Sequence, residues 1–240
     1  MSVSVAELPA MSQAKGTEQE VYLYLRQRLD RGLAQVAFFI VPSVIGFLFF
    51  GDLIVAAIFQ TGQFDKANTL YVWSVLSGAT IGLLPSTLGR LYSSAFFSLR
   101  DTRTPLRFAI VRVLCATGFG ILGAFYFPEW LGIDTKWGTM NLAVAGGIAG
   151  WIEFIMLRRA FNIRVGATGL YMKSHSMLWF CALTSAAVAL GVKSLLKEDG
   201  LVIVRSGVVL VIYGALYFFL GAACKIEQSQ AMIKKLRRIF

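Results

Sequence analysis

Six stretches of this chain are each apolar for long enough to cross a lipid bilayer, and nothing else in the sequence limits its fold so tightly. They run from Gly32 to Phe59, Asn68 to Ser98, Leu106 to Phe127, Gly138 to Leu157, Ser176 to Val192 and Leu201 to Cys224. A membrane-crossing helix needs roughly 17–25 such residues. Lipid offers no hydrogen-bond partner to an open strand edge, so each stretch must satisfy its own backbone as a helix. The alternating pattern of a barrel strand is missing. With 57% hydrophobic and 15% charged residues and a mean hydropathy of +0.67, the chain of 240 residues carries more apolar surface than a soluble core of that size can hide. The expected fold is all-α, a polytopic membrane bundle of about six transmembrane helices.

A net charge of +10 suggests a nucleic-acid partner until the cations are placed. Lys15, Arg26, Arg28 and Arg31 precede the first span, and Arg100, Arg103 and Arg107 separate the second from the third. Arg158, Arg159, Arg164 and Lys173 separate the fourth from the fifth; Lys225, Lys234, Lys235, Arg237 and Arg238 follow the last. The alternate turns hold only Lys66, Lys136, Lys193 and Lys197, among Asp52, Asp65, Glu129, Asp134, Glu198 and Asp199. Sixteen cations against four is a strong positive-inside asymmetry. Both termini are therefore expected in the cytoplasm, and the basic character reports topology, with no nucleic acid needed. Cys115, Cys181 and Cys224 lie in apolar windows without CxxC spacing and read as packed free thiols. The first fourteen residues lack a basic region followed by an apolar core, so no cleavable signal is expected.

Between Ser74 and Pro105, the residues Ser74, Gly78, Gly82, Ser86, Arg90, Ser94 and Ser98 recur every fourth position. On a helix they form a slanted ridge of small side chains that lets a neighbour approach closely, with Arg90 as a permanent cation inside it. Thr104 reads as the N-cap of the next helix with Pro105 at its first position, which makes the two helices antiparallel neighbours. Glu18 to Arg31 reads as an amphipathic connector at the cytoplasmic surface. Pro42 and Pro85 are kink candidates, Gly62 serves the turn FQTGQFD, and Gly146 and Gly150 stand in GxxxG spacing.

Arg112 lies about two turns beyond Pro105, and Glu153 roughly 8 Å of rise before Arg158. Intramembrane charges are expensive and face a cavity or a partner. Three readings stay open for Arg90 and Arg112: lining of a polar cavity, pairing with Glu153 and backbone carbonyls, or snorkelling. For Glu153 a salt bridge outweighs proton carriage, because nearby cations favour the carboxylate. His175 and Arg205 read as interfacial. One histidine, no HExxH, no glycine-rich phosphate loop and no paired intramembrane carboxylates leave no catalytic residue, metal site or cofactor to name. A helical bundle with small-residue seams and a few buried cations suits the movement of an anionic substrate.

Four short motifs, in order, resemble one family. LPAMS (Leu8, Pro9 and Ser12 carrying the pattern) resembles an LPxLS helix end, and FQTGQFD, with Gly62 and Phe64, an F-x-x-G-x-F outer turn. AFFSLRDTRTP, with Asp101, Thr104 and Pro105, resembles F-Y-A-x-x-D-x-x-T-P with Phe97 for the tyrosine, and GTMNLAVA resembles G-x-x-G-L-A-x-A with Asn141 for the second glycine. These are motifs of the MurJ (MviN) lipid II flippases, in the multidrug/oligosaccharidyl-lipid/polysaccharide exporter superfamily. The resemblance covers the whole chain but only the carboxy-terminal half of that architecture. It implies residues 1–31 as the end of a truncated helix plus the connector, 32–164 as four helices of the second lobe, 165–224 as two lipid-groove helices and 225–240 as a basic cytoplasmic tail.

What the resemblance implies about activity is alternating access in the bacterial inner (cytoplasmic) membrane. Two lobes rock around a cationic cavity that takes the pyrophosphate and sugar of lipid II, or of a similar polyprenyl-pyrophosphate lipid. Arg90, Arg112 and Glu153 are the cavity candidates here. Without a separate amino-terminal lobe this portion is expected to be inactive; a longer reading frame, a second gene product or self-association would supply it. The alternatives are a flippase of another polyprenyl-linked saccharide in the same superfamily, and a non-transporting membrane scaffold or gene fragment.

Overall fold

A computed structural model describes residues 17–60, 64–126, 130, 132, 137–169, 172–196, 202–224, 226 and 228–230. Within them the order is α1 (Glu18–Phe59), α2 (Lys66–Thr80), α3 (Leu83–Ser98), α4 (Arg103–Ile121), a π-helical turn (Leu122–Tyr126), α5 (Gly138–Val165), α6 (Met172–Leu195) and α7 (Val202–Ala223). Counting α2 with α3, and α4 with the π turn, six helical stretches are long and apolar enough to cross a membrane. There is no strand among the described residues. The molecule is a multi-pass membrane protein.

The chain divides into two compact units, one of residues 1–37 and 78–170, the other of 38–77 and 171–240. In the first unit α5 is the centre, with α3 and α4 both packed along it. Contacts between α3 and α4 themselves are few, so the two helices expected to be neighbours meet mainly through α5. The small-residue ridge explains why α3 lies there. A Cβ on Gly82 would stand 2.9 Å from the Gly147 Cα, and one on Gly147 would stand 2.9 Å from the Gly82 nitrogen. Two backbones thus touch where both side chains are absent. The expected GxxxG pair is displaced: Gly150 meets Pro85, whereas Gly146 meets nothing within 4 Å and its neighbour Gly147 makes the crossing. Towards the end of α3, Tyr92 and Phe96 close edge-on against Phe161, with ring centroids 5.8 and 5.4 Å apart.

The stretch expected to be a surface connector runs unbroken into the first span as part of α1. Its Leu25 and Leu29, and Leu33 one turn further on, are fully buried. That four-residue spacing places them on one helix face, which protein covers.

Each intramembrane proline leaves a carbonyl without its helical donor, and an aromatic side chain supplies one. In the first unit Pro85 cannot donate to the Ile81 carbonyl, and the Trp151 indole N–H does so at 3.1 Å. The helix breaks at Ile81 and Gly82 there, between α2 and α3. In the second unit Pro42 cannot donate to the Phe38 carbonyl, and the Tyr217 hydroxyl does so at 2.7 Å. α1 continues through that proline.

Two more α7 donors follow on α1, Tyr213 to the Pro42 carbonyl at 2.8 Å and Ser206 to the Leu53 carbonyl at 3.0 Å. Because partner numbers fall on α1 as they rise on α7, the two helices run antiparallel. α6 packs against α7 in the same unit.

Candidate functional site

Arg112 and Glu153 come together in the first unit, one on α4 and the other on α5, with Nη1 donating to Oε2 at 3.0 Å. Arg112 stands nine residues into α4 from Arg103, roughly 14 Å of rise, so its charge is answered deep in the span. The Arg112 side chain keeps 41% of its surface outside the chain, against 14% for Glu153. The carboxylate is therefore the enclosed member of the pair and the arginine side chain the more exposed one. Arg90 is not a member of this ion pair. It is exposed on α3, and among the described residues no ion pair holds it. Its own backbone carbonyl accepts the Ser94 hydroxyl at 2.9 Å.

The turn from α3 to α4 is built differently from its sequence reading. The Arg100 N–H reaches the Phe97 carbonyl and the Asp101 N–H the Phe96 carbonyl, both at 3.0 Å. This is a Schellman closure, with Arg100 at φ +58° where glycine is usual. Asp101, not Thr104, then caps α4: one of its oxygens accepts the Thr104 N–H at 3.0 Å and the other the Thr104 hydroxyl at 2.8 Å. Arg164, at the end of α5, adds an ion pair to Asp101 at 3.1 Å. The Thr104 N–H first, and then its hydroxyl and Arg164, hold the Asp101 carboxyl below the usual aspartate range, against a smaller opposing effect of burial. Pro105 is buried in the first turn of α4. In the second unit the Phe64 ring sits 6.0 Å from that of Phe59. Leu8, Pro9, Ser12 and Gly62 lie outside the described residues.

Three polar constructions were not anticipated. In the first unit Asp30 accepts the Gly169 N–H at 2.8 Å, and Thr168 bridges Asn162 and the Tyr92 hydroxyl, fastening the segment after α5. The signal was available in Gly166 and Gly169, both at positive φ, following a basic helix end. In the same unit the Asn141 amide donates to the Gly123 carbonyl of the π turn at 2.9 Å, which gives this non-glycine residue its reason to be there. In the second unit Asp52 lies within α1 and pairs with Lys193 at 2.6 Å, while Arg205 donates to the Lys193 carbonyl at 3.1 Å. Arg205 thus helps close the end of α6. His175 accepts the Trp179 indole N–H at 3.1 Å, one turn along α6. Among the described residues no group of three or more His, Cys, Asp or Glu is placed to hold a metal.

The family model for the lipid II flippase MurJ matches residues 1–211. The chain belongs to the lipid II flippase MurJ family. A probable lipid II flippase MurJ of Vibrio cholerae is 23% identical over 170 residues, covering 71% of this chain and 30% of that protein. The Helicobacter pylori (strain 26695) protein of the same description is 23% identical over 197 residues, covering 81% of this chain and 40% of the relative. A solved structure described as lipid II flippase MurJ in an inward closed conformation superposes with a TM-score of 0.74 at 19% identity, covering 92% of this chain and 42% of that one. This chain therefore has the fold of one portion of a MurJ flippase, and spans between 30% and 40% of the length of these two sequence relatives.

Proposed function

We propose that this chain is the C-terminal portion of a flippase of lipid II, the undecaprenyl-pyrophosphate-linked peptidoglycan precursor, working by alternating access in the bacterial inner membrane. The match to the MurJ family across residues 1–211 carries this reading. Arg90 and Arg112 are the head-group contacts. Glu153 holds Arg112 in place without covering it, since the 3.0 Å bond engages one edge of a guanidinium that has five N–H donors. A phosphate can take a further edge, and that interaction is stronger in a water-poor chamber than in bulk solvent. The last two helices, within 165–224, carry the polyprenyl tail, and both termini face the cytoplasm. No bond of the substrate is made or broken, so the protein is a transporter and not an enzyme.

A second lobe is needed to form the other wall of the chamber, because rocking requires two bodies. The test is growth rescue in cells depleted of their own lipid II flippase. The chain alone should fail, and the chain joined to a MurJ amino-terminal lobe should restore growth and lipid II translocation. Rescue by the chain alone at matched membrane abundance would overturn the need for the second lobe. Translocation of a different polyprenyl-linked saccharide in place of lipid II by the joined protein would overturn the substrate assignment.

A further inference from the structure

The Cys181 thiol, on α6, points at the Cys224 sulfur, one residue beyond α7, with 3.8 Å between the two Sγ atoms in the second unit. The pair is asymmetric: Cys181 is 1% exposed, whereas Cys224 is half-buried at the end of its helix. The Cys181 backbone oxygen accepts the Ser185 and Thr184 hydroxyls at 2.7 and 3.1 Å. The backbone at Cys181 is thus held within its helix while its side chain faces the other thiol. A disulfide needs the sulfurs at about 2.05 Å, a closure of under 2 Å that rotation about two Cα–Cβ bonds and a small shift of a helix end can supply. The third cysteine, Cys115, lies in the other unit, on α4.

From this geometry we infer that Cys181 and Cys224 are a dithiol that a peroxide or diazene oxidant converts to a disulfide tying α6 to the end of α7. With a peroxide, the Cys224 thiolate attacks one oxygen; the O–O bond breaks, hydroxide leaves, and Cys224 becomes a sulfenic acid. The Cys181 sulfur then attacks the Cys224 sulfur, forming the S–S bond and expelling the sulfenic oxygen as water with the remaining proton. The two thiols lose two electrons and the peroxide gains them. Exposure sets the order: the oxidant reaches Cys224, and Cys181 resolves it. On the cytoplasmic face, where the charge distribution places the end of α7, such a bond is a transient, oxidant-responsive one. The inference does not depend on the substrate assignment.

The full chain in native membranes should be treated with diamide or hydrogen peroxide, denatured, alkylated with N-ethylmaleimide and weighed intact, with peptides mapped. The expected product carries one maleimide, on Cys115, and weighs about 2 Da less elsewhere, with one linked peptide pair holding Cys181 and Cys224. Reduction should restore three labelled sites. Cys224→Ser should abolish the link, and Cys181→Ser treated with hydrogen peroxide should leave a Cys224 that dimedone traps as sulfenic acid. Three maleimides after oxidation, a link through Cys115, or a link only between copies of the chain would each overturn the assignment.

Discussion

Replacing Glu153 by alanine removes the 3.0 Å partner of a guanidinium roughly 14 Å along a membrane helix. Two unit charges about 4 Å apart attract by about 4 kcal/mol at an effective dielectric constant of 20. A lone arginine at the centre of a span costs about 2.5–3.5 kcal/mol on insertion scales. Both figures need reduction, because the Arg112 side chain is 41% exposed and can bend its head towards the interface. Cutting them by half leaves about 1–2 kcal/mol for Glu153→Ala, about 5- to 30-fold in the folded ratio. Arg112→Ala should cost less, since an abandoned carboxyl can take up a proton whereas a guanidinium cannot lose one. The exchanged pair, Arg112→Glu with Glu153→Arg, should recover most of the loss. The assay is reversible unfolding of the protein in bicelles, analysed as a double-mutant cycle. If Glu153→Ala changes stability by less than about 0.3 kcal/mol, or the exchange is no better than its worse single substitution, the pair does not hold α4 to α5.

Trp151→Phe should cost about 1 kcal/mol by stranding the Ile81 carbonyl, and Pro85→Ala in the same background should recover it by restoring the helical donor; unfolding measurements on both variants check this. Gly147→Ala places a Cβ 2.9 Å from the Gly82 nitrogen and should destabilise by about 1–3 kcal/mol, whereas Gly146→Ala, in open space, should be nearly neutral in the same assay. Asp101 titrates below the ordinary aspartate value because the Thr104 N–H, with Thr104 hydroxyl and Arg164, favours its carboxylate. With the folded value depressed, its contribution is complete above the unfolded value of about 3.9 and is lost as pH falls through the lower folded one. The stability gap between wild type and Asp101→Ala should therefore be flat from about pH 5 to 8 and shrink below about pH 4.

The spans were legible because length and hydropathy are summed over twenty residues and survive local error. Finer features depend on partners that the local sequence does not name. Pro85 announced a kink, but the break at Ile81 and Gly82 is made tolerable by Trp151, seventy residues away. Gly146, Gly147 and Gly150 offer two registers for a small-residue seam, and only the facing Gly82 decides between them. The cap of α4 moved from Thr104 to Asp101 because Arg100 takes the left-handed position in a turn that contains no glycine. Asp52 was counted with the turns although Gly51 and Leu53 flank it inside an apolar run, and its partner Lys193 was invisible at that sequence distance. At the candidate site, Glu153 as the partner of Arg112 was one of the readings the residues allowed, and the pair fits it. Nothing in the sequence indicated that Arg90 would lie exposed and outside that ion pair.

In the proposed mechanism Arg90 meets a pyrophosphate and Arg205 does not. Lipid II translocation by the complete protein in reconstituted vesicles, normalised to inserted protein, tests it most directly. Arg90→Ala should lower the rate by tenfold or more, whereas Arg205→Ala, which loses a helix-end contact to the Lys193 carbonyl, should stay within about twofold of wild type. Equal losses in the two variants would remove Arg90 from the head-group site.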